Sequence, residues 1–144
     1  MGERVSDDIT IQAPSGVVWA TINDLLAYPE WAEGMQSVEV LETDDDDRPT
    51  KATFHIDAKV FELRYTLSYT YQHDAVTWSL IEGDQITQLD GEYEVTPKGD
   101  TTHVRYTLEV DLTMPVPGFL KKRGARRILD TGLKGLKQRS EAQV

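Results

Sequence analysis

From Met35 to Leu112 apolar and polar residues alternate at nearly every step. The clearest run sets Phe61, Leu63, Tyr65, Leu67, Tyr69 and Tyr71 against Glu62, Arg64, Thr66, Ser68 and Thr70. It recurs as Val104, Tyr106, Leu108, Val110 and Leu112 against His103, Arg105, Thr107, Glu109 and Asp111. Successive side chains of an extended chain point to opposite faces, so this period of two marks strands with one buried and one wet face. Six such segments fall near residues 35–43, 50–59, 61–72, 75–82, 85–96 and 102–113, separated by Asp, Gly, Pro and His-Asp turns. A looser alternation through Val5, Ile9 and Ile11 predicts a first strand. Pro14 then suits a helix start, with Val18, Ile22 and Leu25 at helical spacing. Residues 26–34, broken by Pro29 and Gly34, read as a short helix or loop.

After Met114-Pro-Val-Pro-Gly118 the period changes to 3.6. On a helical wheel Ala125, Ile128, Leu129, Gly132, Leu133 and Leu136 share one side, and Arg123, Arg126, Arg127, Asp130, Lys134 and Lys137 the other. A helix of about 24 residues is ~36 Å long. Strands of ten to twelve residues run ~33–40 Å, so one helix matches the length of the sheet. The expected fold is α+β: a seven-stranded antiparallel sheet wrapped on a long C-terminal helix, with two short helices after strand 1. Neither repeats nor linkers interrupt residues 1–144, which read as one domain.

Two features bear on what lies between helix and sheet. The inward helix stripe carries Gly124, Ala125 and Gly132, with Gly135 at its edge. Glycine costs about 1 kcal/mol in a helix interior, so its recurrence means either close packing or room left open. The opposing sheet face presents Phe54, Ile56, Tyr65, Leu67, Tyr69, Trp78, Leu80, Tyr93, Tyr106, Leu108 and Val110. A dry core favours Phe, Leu and Ile, whereas a buried tyrosine hydroxyl needs a partner. An apolar lining with a few hydroxyls suits a small-molecule site, although tyrosine is also simply a good strand residue.

Charge is unevenly placed within the net −10: residues 1–114 hold 23 acidic and 7 basic side chains, residues 115–144 hold 2 and 8. The acidic body disfavours nucleic acid. The basic tail is either a solvated helix face or a peripheral contact for an anionic surface. The absence of cysteine excludes disulfides, thiolate metal sites and a cysteine nucleophile. No apolar run approaches the roughly 20 residues that span a bilayer, and no signal-peptide core is present, so the expected location is the cytoplasm. Met1-Gly2-Glu3-Arg4-Val5-Ser6 matches the myristoylation pattern formally, but the acidic residue after the glycine argues against it.

The phrases Ile11-Gln-Ala-Pro14 into Val18-Trp19, Tyr28-Pro29-Glu30-Trp31 and Pro115-Val-Pro-Gly-Phe-Leu120 resemble those of the START-like, or Bet v 1-like (SRPBCC), superfamily. Within it they resemble the bacterial polyketide cyclase/dehydrase or coenzyme Q-binding branch. The resemblance covers nearly the whole chain and implies a helix-grip fold with a hydrophobic ligand between helix and sheet. It implies entry near residues 27–35, 57–61, 83–86 and 114–119. The candidate ligand-binding set is therefore Trp31, Phe54, Tyr65, Leu67, Tyr69, Trp78, Tyr93, Tyr106, Leu108, Phe119, Ile128 and Gly132.

Catalytic chemistry has little to work with. His55, Asp57, Glu62, Arg64, Glu92, Glu94, His103, Arg105 and Glu109 point outward by alternation. Only Asp90, if Gly91 marks a bulge, could turn inward. The three histidines lie on separate segments without ligand spacing, and the Asp44–Asp47 run lacks the glycine and closing glutamate of a calcium loop, so neither metal nor cofactor is expected. Two functions fit: a binder or carrier of a lipid, isoprenoid quinone or polyketide-like metabolite, or an aromatase/cyclase acting on a poly-β-ketone. A third reading is an interaction module using the basic helix. Oligomeric state is not legible.

Overall fold

A computed structural model describes residues 3–32, 34–57, 62–113 and 115–144. The chain begins with β1 (Glu3–Ile11), α1 (Ser15–Asn23), a 3-10 turn (Leu25–Ala27) and α2 (Tyr28–Trp31). Six strands follow: β2 (Met35–Thr43), β3 (Pro49–Asp57), β4 (Glu62–Tyr71), β5 (Ala75–Asp84), β6 (Ile86–Lys98) and β7 (Thr101–Leu112). The chain closes on α3 (Gly118–Glu141). All pairs are antiparallel in the order β1-β7-β6-β5-β4-β3-β2, so the meander forms as the alternation predicts and β1 returns to pair with β7. Phe61, the entry segment at 58–61, Met114 and the Met1-Gly2 pair lie outside the described residues.

The sheet curls and α3 fills its concave side. Ala125, Leu129, Leu133 and Leu136 are buried there, one residue per turn. Each fully buried leucine contributes roughly 1.5–3 kcal/mol through area removed from water. The helix does not sit over the middle of the sheet. It packs closely on β1 and β7 and on α1, and stands off from β3, β4 and β5. Arg126 Nη1 donates to the Ser6 carbonyl at 3.3 Å and Lys137 Nζ to that of Thr10 at 3.0 Å, which covers the open edge of β1. Lys121 ties the start of α3 to Asp111 of β7 at 2.9 Å, and this hydrogen bond helps hold the Asp111 carboxyl down at about 2.

This lean corrects the helical wheel. The buried line follows steps of four and three through Ala125, Leu129, Leu133 and Leu136, and Ile128 is rotated off it to 44% exposure. Gly124 also faces solvent, with nothing within 4 Å of where a Cβ would stand. Within the first three turns of α3 only Ala125 is buried.

The Asp90-Gly91 bulge does not form either. The β6–β7 register runs unbroken from Gln88↔Asp111 to Lys98↔Thr101, and its irregularity lies earlier, between Ile86 and Gln88. Asp90 therefore shares the outer face with its partner Glu109, and the Gln88 amide donates to both carboxylates at 3.0 and 3.1 Å. Gly91 has a different reason to be glycine: a Cβ there would lie 2.3 Å from the Trp78 indole, its cross-strand partner.

Candidate ligand site

The alternation of β4, β5, β6 and β7 brings Tyr69, Trp78, Tyr93 and Tyr106 together on the concave face. Trp78 is the hub, with ring centroids 5.9 Å from Tyr69, 5.2 Å from Tyr93 and 5.8 Å from Tyr106. Tyr93 and Tyr106, directly paired across β6 and β7, are 4.6 Å apart. Such tilted aromatic pairs add about 0.5–1.5 kcal/mol beyond the area they bury. A second pair, Phe54 stacked on Tyr65 at 5.4 Å, continues the surface onto β3 and β4, and Leu67 of β4 and Leu108 of β7 are also buried. Gly132 of α3 lies directly above: its Cβ position is 3.0 Å from the Tyr106 ring and 3.8 Å from the Tyr93 hydroxyl.

The hydroxyls set this lining apart from an ordinary core. Tyr28 donates to the Ile22 carbonyl and Tyr71 to that of Pro49 at 2.7 Å. The hydroxyls of Tyr65, Tyr69, Tyr93 and Tyr106 make no hydrogen bond with any described residue. The sealed polar atoms without a partner are Asn23 Oδ1, Trp31 Nε1 and Ser140 Oγ, and the four tyrosine oxygens are not among them. Each of these oxygens thus faces space that water or a ligand atom can reach. Burial pushes all four phenols above their ordinary value, and for Tyr65, Tyr69 and Tyr93 neighbouring tyrosines add to the effect. The interior consequently offers neutral O–H groups: donors that stay protonated across the physiological range.

Two depressions lie around Arg64 and Asp84 on β4 and β5, with volumes of about 230 and 370 Å³. Their linings are mainly polar, and of the aromatic surface only Tyr65 reaches one of them.

Three expected lining residues stand apart from the aromatic cluster. Trp31 is part-buried at the junction of α2 and α3, edge-on to Tyr28 at 4.8 Å, and a Cβ on Gly135 would meet its ring at 2.6 Å. Phe119 and Ile128 point into solvent, at 68% and 44% exposure. Tyr28, by contrast, is a neighbour that alternation had no means to find, since it sits on a four-residue helix. Its phenol is raised mainly by burial, with Tyr69 and Tyr106 near enough to contribute. Among the described residues no group of three or more His, Asp or Glu could hold a metal ion. His55 instead lies 2.9 Å from Glu62 on the outer face.

The profile of the family described as "Polyketide cyclase / dehydrase and lipid transport" matches residues 3–141. The chain belongs to this family. Solved structures reproduce its fold across almost the whole chain. A START superfamily protein from Mycobacterium smegmatis superimposes with a TM-score of 0.90 at 24% identity, covering 98% of this chain and 99% of that one. The Zhui aromatase/cyclase from Streptomyces sp. R1128 gives 0.83 at 15% identity, over 99% and 96%. A STAR-related lipid transfer protein fragment from Xanthomonas axonopodis gives 0.72 at 17% identity, over 95% and 85%. The family thus has the START-like helix-grip fold in this chain, a fold consistent with hydrophobic ligands. At these identities the likeness is one of fold, and both cyclase and lipid-transfer proteins share it. Among the described residues no helix is long and apolar enough to cross a membrane.

Proposed function

We propose that this protein binds and carries a neutral, largely apolar small molecule that bears hydrogen-bond acceptors, held between α3 and the aromatic face of β3–β7. A lipid, an isoprenoid quinone and a polyketide-like metabolite fit that description. The observation that carries the reading is the set of four inward phenols whose hydroxyls have no hydrogen-bond partner among the described residues, inside an otherwise apolar lining. A structural core would be expected to satisfy such hydroxyls, because an unpaired buried polar group costs about 1–3 kcal/mol. Phe54, Leu67, Trp78, Leu108 and Gly132 supply contact area, and Trp31 borders the site from α2. Phe119 and Ile128 are not part of it.

Poly-β-ketone cyclisation is the alternative, since phenols could also steady enolate oxygens. Binding is favoured because the inward titratable groups are phenols with raised values, poorly suited to removing a proton. A cytoplasmic location, in keeping with a chain free of cysteine, belongs to the same proposal. So does peripheral contact through α3, whose basic side is the one part of this acidic molecule suited to an anionic partner.

The test is a titration with a short-chain isoprenoid quinone, followed by tryptophan quenching, on the parent chain and on Tyr69→Phe with Tyr93→Phe. One hydrogen bond contributes about 0.5–1.5 kcal/mol, so losing two should weaken binding roughly 5- to 100-fold. The melting temperature should stay within a few degrees, because no protein partner is lost. Equal affinity in both proteins, or no uptake of quinone or fluorescent lipid by the parent, would reject the reading. Native mass spectrometry of gently purified protein would then identify the cargo.

A further inference from the structure

The first turns of α3 carry a surface that the interior site does not explain. Phe119 is 68% exposed and Leu120 43%, and both are among the most exposed large apolar side chains described. At 100° per residue Phe119, Leu120 and Arg123 fall within about 100° of each other, and the middle of that arc lies about 150° from the middle of Ala125 and Leu129. Lys122 and Ile128 flank them, also exposed. Charge on this surface is available. Arg126 is committed to Asp7 and the Ser6 carbonyl, and Lys121 to Asp111, whereas Lys122 and Arg123 have no ion pair or hydrogen bond with any described residue. Asp130 ends the basic run one turn further on.

We infer that this crest, Phe119, Leu120, Lys122 and Arg123, is a docking surface for an anionic lipid bilayer. Protruding apolar side chains beside unpaired cations match an interface where hydrocarbon lies just beneath negative headgroups. The residues form a convex ridge rather than a groove, which a fluid lipid surface accommodates without a shaped partner. The rest of the molecule enforces the orientation. Residues 1–114 carry 23 acidic and 7 basic side chains, so the acidic body of the molecule is repelled by the same membrane. The inference rests on the proposed carrier function in one respect: an apolar cargo with little solubility in water has to be collected from and returned to a lipid phase.

The experiment is sedimentation with large unilamellar vesicles of phosphatidylcholine alone and of phosphatidylcholine with phosphatidylglycerol, at low and high salt. The parent should bind the anionic vesicles, bind neutral ones much less, and lose binding as salt rises. Each basic residue near such a surface is worth about fivefold in partitioning, so Lys122→Glu with Arg123→Glu should cut binding at least ~25-fold. Phe119→Ser with Leu120→Ser should cut it roughly tenfold or more while leaving salt dependence in place. All four side chains are exposed, and unchanged melting curves would confirm that the variants fold. No binding to anionic vesicles at low salt, or equal binding by the parent and both variants, overturns the inference. Concentration-dependent self-association abolished by Phe119→Ser, in place of vesicle binding, also overturns it and makes the ridge a contact between copies. The quinone titration in solution is independent of these arms. Vesicle binding without quinone uptake would leave the docking surface standing and remove the cargo reading alone.

Discussion

Six tyrosines divide into two kinds according to where their hydroxyls go. Tyr28 and Tyr71 reach backbone carbonyls and act as struts, Tyr71 also lying under the Arg48 guanidinium at 4.5 Å. The other four converge on the concave face, their hydroxyls without a hydrogen-bond partner among the described residues. Burial raises all six phenols, Tyr71 to about 12. The folded state therefore favours the neutral form more than the unfolded chain does, whose phenols ionise near 10. Stability from this source is complete below pH 10 and falls as pH climbs through and above that value. Followed by absorbance at 295 nm, native protein at pH 10.5 should show little phenolate, and the six should appear together as the fold is lost. Gradual titration centred near pH 10 would place the hydroxyls in bulk water. Period-two alternation was enough to bring Tyr65, Tyr69, Tyr93 and Tyr106 to one face, because pleating alone decides it. Alternation carries no information on Tyr28, which enters by way of a helix end.

At the scale of elements, α3 shows what a repeated glycine can mean. Gly124, Gly132 and Gly135 look alike in the sequence but have different surroundings. Gly135 is buried against Trp31, with its Cβ position 2.6 Å from the ring and 3.0 Å from the backbone oxygen. Gly132 borders Tyr106, and Gly124 faces open space. Gly135→Ala should cost roughly 1–3 kcal/mol, since the carbonyl cannot give way as a flexible side chain would. Gly124→Ala should stabilise by up to about 1 kcal/mol, the difference in helix propensity. Denaturant unfolding of the two variants beside the parent checks both signs, and equal effects would show that α3 is seated differently. The β5–β6 hairpin offers a related lesson. Its ladder pairs Ala75–Trp78 with Glu94–Gly91, and Gly91 is required by the indole lying over it, not by a bulge.

For the molecule as a whole, one helix supplies the second layer. The concave face of the sheet is apolar, and Leu129, Leu133 and Leu136 bring the matching surface from the far end of the chain. Leu129, fully buried, lies on that line, so Leu129→Ala should cost about 2–5 kcal/mol and lower the thermal midpoint accordingly. A change below 1 kcal/mol would mean that the helix and sheet are less tightly joined than their packing indicates. The same variant should leave anionic-vesicle binding intact while it remains folded, because the exposed ridge sits on the first turns of α3, about 9–15 Å along the helix from Leu129.

The sequence by itself determined the seven strands, their order in a meander, the long closing helix and the inward tyrosines. Each follows from a period readable within one segment, and short turns force neighbours to pair. Tertiary structure decided what depends on how separate segments meet. The lean of α3 toward β1 and β7 put Phe119, Gly124 and Ile128 in solvent, although the wheel and the family phrases had placed them within. Cross-strand register, not local glycine content, sent Asp90 to the outer face beside Glu109. The same register laid the Trp78 ring across Gly91, and α2 and α3 met so that Trp31 covered Gly135. Those contacts join residues ten to a hundred positions apart, and no pattern confined to one element encodes the distance between two.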